Sequence, residues 1–310
     1  MALLISYTGQ DTVPWVHAFR DELPEMDVRV FPDEGDPADV EFIAVWQHPH
    51  GGLKPYVNLK AILSCGAGVE HITSDPDLPE GVPIIRLVDE AVVHDMCLHG
   101  LHWVLHFHRG YHYYAENQRR SRWQVLPAVL PFKRRIGIMG MGQIGQRLAE
   151  MLSILQFSVA GWGLNDRQLP NGIKYFSGAE SMGRFLSEAD ILINALPLTP
   201  KTKNLIDANY LSCLPKGAFI INISRGGIVN EKDLRKSIES GRVEAAALDV
   251  FAAEPLPQND PFWTNSSVHV TPHIGGINYP ASAAQVMAAN IKRIQRGIAP
   301  FPVLDPRSGY

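Results

Sequence analysis

The sequence predicts an α/β protein made of two Rossmann-like domains, each a doubly wound parallel sheet. Three observations carry this expectation. At 310 residues the chain is about twice the ~150 residues of one domain, and long enough to bury its cores without disulfides or metal. Short apolar runs alternate with helical stretches through its first part, which argues for parallel strands joined by crossover helices. A second series of the same kind follows the proline-punctuated segment Leu126–Pro131.

The first series contains strands at Ala2–Ser6, Val28–Phe31, Phe42–Trp46, Ile62–Ser64 and Ile84–Arg86, each closed by Gly, Pro or Asp. From Asp89 to about Asn117 the apolar residues Val93, Cys97, Leu101 and Val104 recur at helical spacing, which predicts one long helix. The second series opens with strand Ile136–Met139, followed by a helix with Ile144, Leu148 and Leu155 on one face. Further strands are expected at Ser158–Gly161, Ile191–Ala195, Ala218–Ile223, Ala245–Asp249 and Val268–Thr271, then a last helix from about Pro280 to Arg296. No repeat and no low-complexity tail is present, so solenoids and disordered adaptors drop out.

Composition removes other classes. With 28 Lys+Arg against 32 Asp+Glu the net charge is −4, leaving no excess of positive charge for a nucleic-acid backbone. Cys65, Cys97 and Cys213 are odd in number and far apart, which suits reduced thiols better than a disulfide framework. The apolar start Met1–Ile5 has no basic flank and reads as a strand. No apolar run approaches the ~18 to 20 residues that cross a bilayer, so the expectation is a soluble, cytoplasmic protein without nucleic-acid or membrane partners.

Strand Ile136–Met139 runs into Gly140-Met141-Gly142-Gln143-Ile144-Gly145 and directly into a helix. In that context the first glycine permits the tight turn. The second lets backbone approach a pyrophosphate, and the third lets helix and strand pack closely. The helix N-terminus then presents N–H groups and a positive dipole end to the phosphates. An acidic residue at the end of the next strand would bind the ribose 2′-OH of NAD and repel the 2′-phosphate of NADP. Here Gly161-Trp162-Gly163-Leu164-Asn165-Asp166-Arg167 places no Asp or Glu at the strand end. Arg167, helped by Asn165, is positioned to pair with a 2′-phosphate, although Asp166 sits between them. NADP(H) is therefore favoured over NAD(H).

Three later segments carry polar residues at strand ends: Asn222-Ile223-Ser224-Arg225-Gly226-Gly227, Leu248-Asp249-Val250-Phe251 continuing to Glu254-Pro255, and Thr271-Pro272-His273-Ile274-Gly275-Gly276. At the carboxyl edge of an α/β sheet such residues face the cofactor crevice. In this order after the glycine loop, they resemble the D-isomer-specific 2-hydroxyacid dehydrogenases over nearly the full length. The resemblance implies a catalytic set of Arg225, Glu254 and His273. Each residue type suits reduction of a 2-keto acid. An imidazole that titrates near neutrality can supply a proton, and a carboxylate beside it favours the imidazolium form. A guanidinium fork can hold the substrate carboxylate and polarise the ketone. The same resemblance places Leu196, Pro197, Leu198, Thr199, Thr202, Ile223, Ser224, Arg225 and His273 along the cofactor, with Trp162 at the second strand end and Asp249 meeting the nicotinamide carboxamide.

For substrate binding, the resemblance maps the N–H groups that receive a carboxylate onto Ala67 and Gly68 in the run Ser64-Cys65-Gly66-Ala67-Gly68, where small residues let main chain approach closely. Arg225 and His273 complete the substrate set. Trp46 is either an apolar wall that admits small keto acids or a core residue. Within the family, Val45-Trp46, the Gly66-Ala67-Gly68 turn and Gly161-Trp162 resemble the glyoxylate/hydroxypyruvate reductase A branch. That branch usually presents Ser and Arg after the Trp, where Gly163, Leu164 and Asn165 stand here. Other 2-keto acids, phenyl or branched-chain, are the nearest alternative substrates. A non-catalytic NAD(H)-sensing, corepressor-like role is the alternative from another class.

The resemblance implies a flavodoxin-like substrate domain of residues 1–96 with 277–310, a dinucleotide domain of residues 97–276, and an active-site cleft between them that closes on a hinge. His94, His99, His102, His106, His108 and His112 crowd the long helix at about 89–117. No carboxylate or cysteine completes a metal shell there at matching spacing, so no metal is expected. The helix is expected instead to pack across the two-fold axis of a homodimer, which mild acid would loosen.

Overall fold

A computed structural model describes residues 1–7, 9, 11–169 and 173–304. In chain order its strands are β1 (Ala2–Tyr7), β2 (Asp27–Val30), β3 (Val40–Trp46), β4 (Ala61–Ser64), β5 (Ile84–Ile85), β6 (Arg135–Met139), β7 (Ser158–Gly163), β8 (Lys174–Ser177), β9 (Ile191–Asn194), β10 (Ala218–Asn222), β11 (Val243–Leu248) and β12 (Val268–Val270). Its α-helices are α1 (Val13–Glu22), α2 (Glu70–Thr73), α3 (Glu90–His108), α4 (Tyr111–Arg119), α5 (Gln143–Ile154), α6 (Met182–Ser187), α7 (Ala208–Cys213), α8 (Glu231–Glu239) and α9 (Pro280–Gln295). The chain forms two units, residues 1–92 with 277–310, and residues 93–276.

In the first unit the strands pair in parallel in the order β2-β1-β3-β4-β5, so the order reverses between β1 and β3. The interior of β3, Phe42 to Val45, is apolar and buried because helices and loops cover both faces of a parallel sheet. The C-terminal segment belongs here because α9 presents Ala283, Ala284, Met287, Ala288 and Ile291 at helical spacing to the core around Trp15 and Phe19. Beyond α9, Val303 bridges Ile85 and the Leu304 N–H donates to the Ile84 carbonyl at 2.8 Å.

In the second unit the order is β12-β11-β10-β9-β6-β7-β8, again all parallel. Sequential crossovers wind outward from β6 in both directions, so the carboxyl ends of β6, β9, β10, β11 and β12 share one edge. Such a sheet binds dinucleotides at the reversal, here between β6 and β9. Helix α5 buries Gly145, Leu148, Ala149 and Leu152 on one face, and α3 covers the same side of the core through Cys97, Trp103, Val104 and Phe107. Gly100 permits that approach, since a Cβ there would lie 2.9 Å from Leu148 Cδ2.

Two features depart from the sequence reading. The long helix expected at about 89–117 is broken: α3 ends at His108, and Gly110 adopts φ +67°, a left-handed conformation that suits glycine and turns the chain into α4. Edge strand β8 was not expected, because Lys-Tyr-Phe-Ser is short and its pairing with β7 supplies what its pattern lacks. Among the described residues no helix is long and apolar enough to cross a membrane.

Candidate active site

The glycine turn is shaped by contact. Gly140 has φ +92°, and a Cβ on it would lie 2.6 Å from the Ala195 carbonyl oxygen. A Cβ on Gly145 would sit on the Gly140 carbonyl oxygen, so this glycine allows α5 to start directly behind the turn. At Gly142, by contrast, a Cβ would meet nothing, because the residue is exposed and opens onto free space. No side chain caps α5, and among the described residues the N–H groups of Met141 and Gly142 have no acceptor. These free donors, with the open first turn of α5, fit a pyrophosphate.

The guanidinium of Arg167 reaches this turn and donates through Nη1 to the Met141 carbonyl. Asn165 offers its carbonyl to the Tyr175 hydroxyl at 2.9 Å. At the end of β7, the Trp162 ring turns into the core. Its side chain is wholly buried in the core and its indole N–H donates to the Gly178 carbonyl at 3.1 Å, so no part of the ring faces a ligand. A large aromatic ring gains more from burial than from a place at the sheet edge. The side chains of Met141, Leu196, Thr202 and Ile223 are also buried, which leaves main-chain contact for these positions, while Gln143 is exposed and Ile144 and Pro197 are half-buried. Thr202 closes its own loop, accepting from the Thr199 N–H at 2.7 Å and donating to the Pro197 carbonyl at 2.6 Å.

Arg225 follows β10 on a turn held by a buried pair that the sequence reading missed. Asn194 donates to the Asn222 side-chain carbonyl at 2.9 Å, and Asn222 donates to the Arg225 carbonyl at 3.2 Å. Asn194 in turn accepts from the Leu196 N–H, and the Ser224 hydroxyl donates to the Leu196 carbonyl. The two turns after β9 and β10 are thereby tied together. Two asparagines ending otherwise apolar strands, Ile-Leu-Ile-Asn and Ile-Ile-Asn, were the available signal, since a buried amide must find partners. Behind Arg225, a Cβ at Gly226 would overlap the Phe251 backbone, so glycine is required there.

His273 lies beyond β12 with φ +55°, an uncommon conformation for a residue with a side chain. Asp249 holds it. The Asp249 carbonyl accepts the His273 N–H at 2.8 Å, and the buried carboxylate accepts the Thr271 hydroxyl at 2.6 Å and the N–H groups of Ile274 at 2.9 Å and Gly275 at 2.8 Å. His99 Nε2 stands 3.7 Å from the same carboxylate and accepts the Trp103 indole N–H at 3.0 Å. Asp249, expected to meet the cofactor carboxamide, thus has both oxygens engaged by the histidine loop, because a buried carboxylate takes the nearest donors.

The imidazole and the carboxyl of the catalytic set meet. His273 Nδ1 lies 2.7 Å from Glu254 Oε2, and Glu254 Oε1 accepts the Phe251 N–H at 2.8 Å. Burial alone would raise the Glu254 carboxyl. Hydrogen bonds from His273 and Phe251, with the charges of His273 and Arg225, outweigh it and hold the group below its ordinary value. An ionised carboxylate only accepts, so Nδ1 carries the hydrogen and Nε2 is left for another group. Arg225 donates from Nη1 to the Ser224 carbonyl at 2.8 Å.

On the first unit, the turn after β4 presents Ala67 exposed and Gly68 half-buried, and among the described residues neither N–H has an acceptor. Ser64 braces the turn, donating to the Gly66 carbonyl at 2.7 Å. Trp46 ends β3, half-buried. Of the helical histidines, His106 and His112 form a nest with His269 of β12 in the second unit: the His106 ring centre lies 4.8 Å from that of His269 and 5.8 Å from that of His112, among Trp103, Phe107 and Phe219. Among the described residues no three His, Cys, Asp or Glu side chains are arranged to hold a metal.

The comparisons agree with one another. The family model for the D-isomer specific 2-hydroxyacid dehydrogenase, NAD binding domain, matches residues 101–275. A glyoxylate/hydroxypyruvate reductase A of Serratia proteamaculans is 36% identical over 301 residues, covering 96% of each chain. Another, of Photorhabdus laumondii, is 34% identical over the whole of both. A D-isomer specific 2-hydroxyacid dehydrogenase of Xanthobacter autotrophicus, solved with NADPH and MES, superposes with a TM-score of 0.96 at 36% identity, covering 100% of this chain and 99% of that one. An NADPH-dependent glyoxylate/hydroxypyruvate reductase of Sinorhizobium meliloti, solved with NADP and sulfate, gives a TM-score of 0.94 at 28% identity with both chains fully covered. With its second unit matched by the family model and relatives alike along the whole chain, this protein belongs to the D-isomer specific 2-hydroxyacid dehydrogenase family.

Proposed function

We propose that this enzyme reduces small 2-keto acids with NADPH, glyoxylate to glycolate and hydroxypyruvate to D-glycerate. The observation that carries the reading is the 2.7 Å contact of His273 Nδ1 with Glu254 Oε2, on the sheet edge where β6 opens into the glycine turn. Bound dihydronicotinamide supplies the hydride for the carbonyl carbon. Glu254 holds Nδ1–H, so the His273 ring is fixed with Nε2 presenting a proton to the carbonyl oxygen as negative charge develops there. Arg225 grips the carboxylate and polarises the ketone. On the first unit, the N–H groups of Ala67 and Gly68, which have no acceptor among the described residues, are donors suited to a carboxylate. Arg167 at the glycine turn, with no acidic residue at the end of β7, supports NADPH over NADH. So do the NADPH and NADP complexes of the Xanthobacter and Sinorhizobium relatives.

The test is the loss of NADPH absorbance with glyoxylate, hydroxypyruvate and phenylpyruvate, repeated with NADH. Reduction of the first two with NADPH at the higher kcat/KM is expected. Nucleotide binding without turnover of any keto acid would overturn the reading in favour of a sensing role.

Two finer assignments accompany it. A homodimer is supported by the segment after α4, which exposes Trp123 fully and Val125, Leu130 and Phe132 largely, more apolar surface than a free chain readily keeps in water. Sedimentation is expected to give twice the chain mass, and a monomer at micromolar concentration would refute it. A cytoplasmic site of action accords with three unpaired thiols.

A further inference from the structure

We infer that the second unit carries a binding site for small organic oxyanions, a carboxylate or phosphate head on an apolar body, at the amino edge of its sheet.

A cavity of about 400 Å³ opens there, between the end of α3, the Gly110 turn, the Leu126-Pro127 segment and the residues that lead into β6, β10 and β11. The carboxyl ends of the same three strands carry the glycine turn, Arg225 and Asp249, so the length of the sheet separates this cavity from the cofactor edge. Its wall is apolar where Phe107 stacks on Phe219, with ring centres 4.7 Å apart, and cationic where His108, Arg109 and Arg134 come together. Pockets of this size that hold small molecules combine such an apolar lining with a few polar groups that orient the ligand.

Arg134 carries the argument. It is half-buried, and among the described residues no carboxylate pairs with its guanidinium. Asp190, whose charge reaches it, is engaged by Arg135, accepting from that guanidinium on both oxygens and from the Arg135 N–H at 2.9 Å. Arg134 Nε and His108 Nδ1, both shut off from water, have no hydrogen-bond partner. Burial pushes the Arg134 guanidinium down from its ordinary value, and burial with the charges of Arg134 and Arg109 does the same to His108. Glu244 also lines the cavity, but its Oε1 accepts the Tyr113 hydroxyl at 2.5 Å. No side chain caps α4, which starts at the wall residue Gly110, so its dipole adds to the positive side. A partly buried cation is destabilised unless an anion pairs with it, and a guanidinium fork binds carboxylate or phosphate strongly and in a fixed orientation. A bare inorganic ion would leave the Phe107–Phe219 face uncovered. An organic acid with an apolar body meets both parts of the wall.

The experiment titrates phenyl phosphate, benzoate and inorganic phosphate into the NADPH-loaded enzyme by calorimetry, for wild type, Arg134→Gln, Arg109→Gln and Glu244→Gln. Phenyl phosphate against benzoate tells a phosphate head from a carboxylate head. At least one of the two is expected to bind once per chain, about tenfold or more tighter than inorganic phosphate, as burial of an aromatic ring implies. Arg134→Gln should weaken it about tenfold or more, the scale of a hydrogen bond to a charged group. Arg109→Gln, which is exposed, should weaken it about threefold, and Glu244→Gln, which removes a like charge yet still accepts from Tyr113, should tighten it by about the same factor. Binding that both arginine variants leave unchanged, or that glyoxylate displaces, would place the anion at the catalytic edge and overturn the proposal. So would a loss in Glu244→Gln equal to that in Arg134→Gln, which would mark damage to the fold and not charge. Failure of every probe to bind at millimolar concentration would overturn it as well, the result expected if a second copy of the chain covers the cavity. Should Arg134→Gln not fold, the opposite signs of Arg109→Gln and Glu244→Gln decide.

Discussion

Glu254→Gln isolates the role of the carboxylate, since it changes one oxygen to an amide nitrogen with almost no change in volume. Glu254 accepts two hydrogen bonds, from His273 Nδ1 at 2.7 Å and from the Phe251 N–H at 2.8 Å. Glutamine has one side-chain oxygen for these two donors. If Phe251 keeps it, Nδ1 loses a charged acceptor, and hydrogen bonds to charged groups are worth about 1.5–3 kcal/mol. Since ~1.4 kcal/mol is tenfold in rate, the loss in kcat/KM for glyoxylate should be about 10- to 150-fold. The amide also lets the imidazole turn or change tautomer, so Nε2 loses its fixed orientation. Steady-state NADPH oxidation reads the loss, and NADPH titration of the same variant is expected to give the wild-type affinity. Activity within twofold of wild type would refute the assignment of Glu254 as the partner that orients His273.

The histidine nest predicts acid instability in the second unit. Burial, with the neighbouring imidazoles, pushes His106, His112 and His269 from 6.5 down to about 4, opposed at His112 by Glu244. For a base depressed in the folded state, stability is complete above the unfolded value of 6.5 and is lost as pH falls toward 4. By pH 5.5 each imidazole would cost about 1 kcal/mol, less after allowing for its partial exposure and coupling to its neighbours. Tm should therefore be flat above pH 7 and drop below 6.5, with a shallower drop in His269→Asn; an equal slope in that variant would refute the nest as the cause. In the glycine turn, Gly142→Ala should preserve Tm but weaken NADPH binding about tenfold, because its Cβ enters open space kept for phosphate. Gly145→Ala should lower both Tm and affinity, because its Cβ meets the Gly140 carbonyl. Unchanged NADPH affinity in Gly142→Ala would refute the cradle.

Much of this was legible in the sequence because it is local. The strand, glycine turn and helix from Ile136 to Leu155 lie in one continuous stretch, and the apolar strands of a buried parallel sheet announce themselves without partners. His273 and Glu254 were identifiable by resemblance, and the 2.7 Å contact between them is a property of the fold. What was not legible depends on groups remote in the chain. Trp162 had the sequence context of a ligand contact, and only the Gly178 carbonyl and the surrounding core show where its ring goes. Asp249 reads as a crevice residue until the donors of Thr271, Ile274 and Gly275 fold over it. The break at Gly110 had a signal, a glycine at a helix C-terminus, but the regular apolar spacing on both sides masked it.

The central claim, that His273 delivers the proton while NADPH reduces the keto acid, is tested most directly by His273→Gln. The measurement is its kcat/KM for hydroxypyruvate beside its NADPH affinity. A loss of about 100- to 10,000-fold in kcat/KM with unchanged NADPH affinity is expected, the usual span for removing a general acid. Hydroxypyruvate reduction at the wild-type rate would contradict the account.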